Sequence, residues 1–250
     1  MKRILKYFKY IKWYEYLCIF FLLCVVLILG IVFHSDALVI CNSVLGILAI
    51  FLIAKGYIIS NFFEIVSMVL YCFIAYNNRY YGEIIINAIL AVAYAINLAF
   101  WLKNKYRSTG IVKINRNFNW KEFLIVSVLF LGAGIGVYFM LRAFNTANLI
   151  LSTISVVMGF FAVYCMIQRS VLNYVFYILS DVICLCLWAT VVAEGKLNYL
   201  PTLTNYVIFV AINVFGMINW FKLMKSQMRK PRKRKLKEMK DTKNLEEKGE

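Results

Sequence analysis

The chain has 250 residues, 63% of them hydrophobic and 17% aromatic, with two prolines and a formal charge of +16. Soluble domains hold about 45–50% apolar residues, so an ordinary soluble fold is excluded and the bilayer is the expected solvent. The charge suggests nucleic acid, but the basic residues gather in short stretches between apolar runs, a pattern that marks membrane topology.

Residues 2–12 carry Lys2, Arg3, Lys6, Lys9 and Lys12 and lead into an apolar run over 13–33. That pairing is similar to a signal peptide, yet no small-x-small cleavage site follows, so a retained helix is expected. Further runs long enough to cross roughly 30 Å of hydrocarbon cover 37–53, 58–76, 80–102, 120–141, 147–167, 171–192 and 199–221. Spans two, three and four are joined so tightly that they must be antiparallel neighbours. The loop after span four holds Lys103, Lys105, Arg107, Lys113, Arg116 and Lys121, and another basic cluster follows span eight, whereas the opposite loops hold only Arg79, Arg142 and Lys196. Eight spans put all the basic clusters on one side, which predicts a multi-pass cell-membrane protein with both termini in the cytoplasm. The tail, 223–250, includes Lys-Pro-Arg-Lys-Arg-Lys-Leu-Lys over 230–237. It reads as an anchor beside acidic membrane lipids, disordered beyond residue 237, with no nucleic-acid partner.

Cysteines 18, 24, 41, 72, 165, 184 and 186 all fall within predicted spans and read as buried small apolar residues. With His34 the single histidine, no metal set forms. The sequence holds no Ser-His-Asp combination, phosphate loop or dinucleotide fingerprint. No enzyme, metal or cofactor is expected.

Two spans recur. Ser43-Val44 aligns with Ser155-Val156 and Asn61-Phe62 with Asn173-Tyr174, both 112 positions apart; Tyr94-x-x-Asn97-x-x-x-Trp101 then aligns with Asn213-x-x-Gly216-x-x-x-Trp220. Spans two to four and six to eight are therefore expected to be parallel repeats joined by span five, with a substrate site between them near the midplane. The expected parts are residues 1–36 (basic N-terminus and extra helix), 37–102 (first three-helix bundle), 103–146 (loop and linker helix), 147–222 (second bundle) and 223–250 (tail).

An ionisable group inside a span costs about 2.5–3.5 kcal/mol even on insertion scales, which singles out Glu64 and Asp181. Helical spacing puts Asn61, Glu64, Met68 and Tyr71 on one stripe and Asn173, Tyr177, Asp181, Cys184 and Trp188 on another. Span four adds Asn87, Tyr94, Asn97 and Trp101, and span eight adds Asn205, Asn213, Gly216 and Trp220. Such faces suit a flat, hydroxyl-bearing heteroaromatic ligand, and a cationic ring would gain further from the carboxylates and aromatic faces. Bland readings stand beside this one. Trp101 and Trp220 sit where interfacial tryptophans gather, the asparagines are able to bridge helices, and the two carboxyls suit proton sites or structural partners.

Asn173-Tyr174-x-x-Tyr177-x-x-x-Asp181, preceded by Gln168-Arg169, together with Asn213-x-x-Gly216-x-x-x-Trp220, resembles the motifs of the PnuC-type vitamin transporters. The family pattern has tryptophans where Tyr174 and Tyr177 stand here. The resemblance spans roughly residues 37–225 and implies an all-α membrane fold of three-plus-one-plus-three helices, with span one added. It implies a homotrimer and facilitated uptake of a nucleoside-like vitamin, nicotinamide riboside before thiamine, riboflavin or deoxynucleosides. The implied substrate-binding residues are Asn173, Tyr174, Tyr177, Asp181, Asn213 and Trp220, with Asn61, Tyr94, Asn97 and Trp101 as counterparts. A sugar carrier of the same plan and a non-transporting membrane scaffold are the rival expectations.

Overall fold

The computed structural model describes residues 11–77, 81–106, 110–145, 148–195 and 200–246, with side chains up to residue 228 apart from 75, 77, 81–83 and 201. Lys2, Arg3, Lys6, Lys9, Arg79, Arg107, Lys196 and the junction at 146–147 lie outside the described residues. Among the described residues there are eight helices: α1 (Trp13–Val32), α2 (Ala37–Ala54), α3 (Ser60–Asn77), α4 (Tyr81–Lys103), α5 (Trp120–Ala143), α6 (Leu149–Ile167), α7 (Leu172–Ala193) and α8 (Leu200–Glu246). Among the described residues seven are long and apolar enough to span a membrane. The eighth, α3, is apolar over Ser60–Ile74 and buries Ser60, Asn61, Glu64 and Ser67 against its neighbours.

Each helix in the series α2–α3–α4 packs on the next, as does each in α6–α7–α8; α2 against α8 and α4 against α6 then close a six-helix ring. Outside it, α1 lies on α2 and α8, and α5 rests on α6. Lipid-facing positions on α5 such as Leu124, Ile125 and Val128 are at least 65% exposed, as the hydrocarbon core requires. Cys18, Cys41 and Cys186 also lie on that outer surface and only Cys165 is fully buried. The expectation that the cysteines are core residues fails because apolar residues here face lipid as readily as protein.

The α2 and α6 ends share one geometry. Gly56 (φ 74°) and Arg169 (φ 57°) turn into the left-handed region, and the amides of Tyr57 and Ser170 reach back to Leu52 and Cys165 carbonyls, both at 2.9 Å. Farther along, Ser67 Oγ donates to Asn42 Oδ1 (2.8 Å) and Ser180 Oγ to the Ser155 carbonyl (3.0 Å). Equivalent positions are thus 113 residues apart (56 to 169, 42 to 155), one more than the aligned letters suggest. The pairing of Asn61 with Asn173 is displaced by one residue, and the structural partner of Asn61 is Tyr174.

At the end where α2, α4, α6 and their loops meet, called here the basic end, residues 110–115 form a plug. Ile111, Val112 and Ile114 are buried. The Val112 amide bonds to the Gly56 carbonyl (2.9 Å), the Ile58 amide to Gly110 (3.0 Å) and the Asn115 amide to Arg169 (3.0 Å). Gln227 of α8 accepts from the Ile114 amide and donates to the Val112 carbonyl, both at 3.0 Å. One short segment therefore ties both turns and α8 together.

The expectation of a tail disordered beyond residue 237 is corrected, since the α8 backbone continues to Glu246. Extending an anchored helix avoids the cost of nucleation, and the Lys, Arg, Met, Leu and Glu of this stretch are good helix formers.

Candidate functional site

Successive layers of polar side chains run up the inside of the ring. Nearest the basic end, Trp101 of α4 and Trp220 of α8 are wholly buried, with ring centroids 5.7 Å apart. Each indole donates across to the other half: Trp101 Nε1 to the Met166 carbonyl of α6 (3.0 Å) and Trp220 Nε1 to the Ile53 carbonyl of α2 (2.9 Å). These tryptophans are packed pins, and the reading that puts them in an interfacial belt is excluded by their burial.

Tyr174 of α7 stands edge-on to Trp220 (5.4 Å) and donates to the same Ile53 carbonyl (3.1 Å). Gly216 makes room for it, since a Cβ there would run into the Tyr174 ring and come within 3.0 Å of Ala54 Cβ. The motif Asn213-x-x-Gly216-x-x-x-Trp220 thus divides its work: Trp220 latches, Gly216 yields space, and Asn213 reaches into the next layers. Asn219, outside that motif, adds a bond from Nδ2 to the Ala54 carbonyl (2.8 Å).

About one helical turn further in, Asn97 Nδ2 donates to Asn61 Oδ1 and Asn61 Nδ2 to the Ile58 carbonyl (3.2 Å). Asn97 Oδ1 and both side-chain polar atoms of Asn173 are buried and find no hydrogen-bond partner among the described residues. Leaving such a group unpaired costs about 1–3 kcal/mol. Above them the Tyr94 and Tyr177 hydroxyls meet at 2.8 Å, joining α4 to α7. Asn213 Nδ2 donates to Asp181 Oδ2 at 2.7 Å, joining α8 to α7. Glu64 is 9% exposed and Asp181 8%, close enough to act on one another and on both tyrosines electrostatically. Farther from the basic end, Asn205 Nδ2 bridges to Ser43 Oγ (3.0 Å).

All ten singled-out residues therefore line one interior. Asn61, Tyr94, Asn97, Asn173, Tyr177, Asp181 and Asn213 form its polar middle; Trp101, Tyr174 and Trp220 form its floor. Sequence reading overlooked the ion pair between Lys55, at the end of α2, and Glu15 of α1 (2.7 Å, both nearly buried), which clamps the extra helix to the ring. Forty residues separate the two, and nothing local signals their meeting. It also overlooked the plug, whose signal is three β-branched residues at 111, 112 and 114 between lysines.

Two carboxyls, four asparagines and three tyrosines thus gather between the halves, and their hydrogen-bond partners among the described residues include no lysine or arginine.

A family described as "Nicotinamide mononucleotide transporter" matches residues 36–222. A curated relative, the "Nicotinamide riboside transporter PnuC" of Neisseria mucosa, is 28% identical over 200 residues, covering 78% of this chain and 76% of the relative. A solved structure described as "Crystal structure of the Vitamin B3 transporter PnuC" superposes with a TM-score of 0.70 at 23% identity, covering 87% of this chain and 94% of that one.

Proposed function

Since the chain belongs to the nicotinamide mononucleotide transporter family, and is a multi-pass membrane transporter rather than an enzyme, we propose that its cargo is nicotinamide riboside, moved by facilitated diffusion. The observation that carries this is the unpaired Asn97 Oδ1 and the unpaired side-chain amide of Asn173 in a layer beside two carboxyls. Buried polar groups left without partners are ready to bond the hydroxyls of a ribose. The pyridinium ring of the riboside is cationic and finds Glu64, Asp181 and the faces of Tyr94 and Tyr177 around it. A mononucleotide would add a phosphate to a site bearing two acids and no base, so the unphosphorylated riboside fits better. The name of the curated relative points the same way.

The ligand lies between α3 and α4 of one half and α7 and α8 of the other. Asn61, Asn97, Asn173, Asp181 and Asn213 bond its polar groups, and Tyr94, Tyr174 and Tyr177, with Trp101 and Trp220 beneath, bound its ring. Residues 37–102 and 147–222 act as two bundles about the linker 103–146. The basic loops put the basic end and both termini in the cytoplasm of the cell membrane. The protein works among lipids as a homotrimer and uses no fuel, since a uniporter needs only two gate states that the ligand stabilises differently.

The test is uptake of radiolabelled nicotinamide riboside into liposomes holding the purified protein, with excess nicotinamide mononucleotide, thiamine, riboflavin, deoxynucleosides or glucose as competitors. Saturable uptake that none of these blocks is expected. Uptake abolished by thiamine, by a deoxynucleoside or by glucose would reassign the cargo, and no uptake of the riboside at all would refute the reading.

A further inference from the structure

A cavity of about 760 Å³ lies at the basic end, outside the Trp101–Trp220 pair. Four cations line it: Lys105 beyond α4, Lys113 and Arg116 on the segment that includes the plug, and Arg169 on the turn between α6 and α7. Asn115 and Gln227 add amides, and among the described residues no carboxylate lines the cavity.

Arg169 is the built element. Its left-handed backbone (φ 57°) is a conformation that a residue with a Cβ rarely adopts. Here it is held by the Asn115 amide on its carbonyl (3.0 Å) and by its own Nη1 on the Lys113 carbonyl (3.4 Å). Its Nε is buried and finds no partner among the described residues. Burial holds this guanidinium below its ordinary pKa, so its positive charge is under-compensated where it stands. Four like charges around one basin repel one another unless an anion enters, and guanidinium groups favour phosphate oxygens through paired, charge-assisted hydrogen bonds. A second cavity of about 560 Å³ adjoins the first through Asn115, Arg116 and Asn117 and is lined by Phe118, Trp120 and Phe221. The combined site offers a cationic basin with an apolar annex.

We propose that this basin binds a phosphate group, carried by an anionic lipid headgroup or by a soluble phosphate ester, and that its occupation holds the plug against the α6–α7 turn. The consequence for closure rests on the carrier reading; the binding does not. An anion shared by Arg169, Arg116 and Lys105 joins the α6–α7 turn, the loop and the end of α4, adding to the backbone bonds and the Arg169–Lys113 bond already between them. Occupation therefore favours the closed basic end and slows release of cargo there.

The test follows the unfolding midpoint of the full-length protein in phosphatidylcholine nanodiscs. One arm titrates inorganic phosphate at constant ionic strength, and the other adds phosphatidylglycerol to the nanodiscs. Two variants accompany each arm: Arg169→Gly, because glycine accepts the left-handed backbone, and Arg116→Gln at an exposed position. A rise with inorganic phosphate whose half-saturation moves up by about tenfold or more in either variant assigns the site to soluble phosphate. A rise only with phosphatidylglycerol, lost in either variant, assigns it to lipid. No rise in either arm, or a rise that both variants keep unchanged, overturns the proposal. The readout involves no transport, so failed riboside uptake would refute the cargo and leave this result standing.

Discussion

Replacing Gly216 by alanine tests whether the Tyr174 seat closes the floor of the site. The added Cβ would collide with the Tyr174 ring, meeting Cζ at 2.9 Å and Ala54 Cβ at 3.0 Å. The ring is fixed on its other sides by Trp220 and by its hydroxyl bond to Ile53, so it has no cheap retreat. Overpacking of this kind costs about 1–3 kcal/mol, and loss of the hydroxyl bond adds about 0.5–1.5 kcal/mol. Against that, alanine gains about 1 kcal/mol of helix propensity over glycine. The net is a loss centred near ~2 kcal/mol, which for a chain of this size lowers the melting midpoint by about 4–8 °C. Gly159→Ala is the internal control, because its Cβ meets nothing within 4 Å and should leave the midpoint unchanged or raised. The assay is thermal unfolding of both variants in one detergent, followed by riboside uptake. In a Tyr174→Ala background, where the ring is gone and only the Ala54 contact remains, Gly216→Ala should cost clearly less than it does beside the ring. A Gly216→Ala protein that melts at or above Gly159→Ala would refute the close-packing argument.

Other outcomes follow from the same interior. Asp181→Ala should cut riboside uptake at least ~tenfold, the scale of one lost charge-assisted bond, while size-exclusion chromatography shows unchanged assembly; normal uptake at normal expression would remove Asp181 from the site. Because Asp181 and Asn213 bond each other, Asn213→Ala combined with Asp181→Ala should cost little beyond either alone, and additive losses in uptake would show that they act separately. Lys55→Ala strands Glu15 in a buried position and should destabilise by about 3–5 kcal/mol, whereas Lys55→Met with Glu15→Gln should recover most of that loss on thermal unfolding. Uptake by an uncoupled carrier should be the same with and without an imposed proton gradient in tight vesicles; acceleration by the gradient would make Glu64 or Asp181 an obligatory proton carrier.

The helices were legible because a bilayer imposes length: each apolar run had to be about as long as the hydrocarbon is thick; α1 to α7 begin and end, and α8 begins, close to the expected positions. Facing was legible for the same reason on α7, where Asn173, Tyr177 and Asp181 share a stripe and do turn inward together. Register was not. Among interchangeable apolar letters, Asn61 aligned with Asn173 looks better than Asn61 with Tyr174, although the turn geometry and the Ser67 and Ser180 bonds require the latter. A one-residue slip rotates a helix position by about 100°, so letter matching was too coarse to say which side chains correspond. The role of Trp101 and Trp220 was equally hidden. A tryptophan at a span end reads the same whether it faces headgroups or a neighbouring carbonyl, and only tertiary packing decides. Glu15 with Lys55, and the plug at 110–115, depend on contacts across the ring that no local pattern records.

The crossed indole bonds have a mechanical consequence. Each tryptophan is rooted in one half and hooked to the backbone of the other, and the two hooks touch. Swinging one half away pulls its own indole off the opposite carbonyl and at the same moment withdraws the surface on which the second indole leans. A half-released arrangement leaves a buried N–H unpaired, a penalty of about 1–3 kcal/mol that neither the shut nor the fully parted arrangement bears. Parting the two halves here would therefore release both indoles together, as a double latch rather than two single ones.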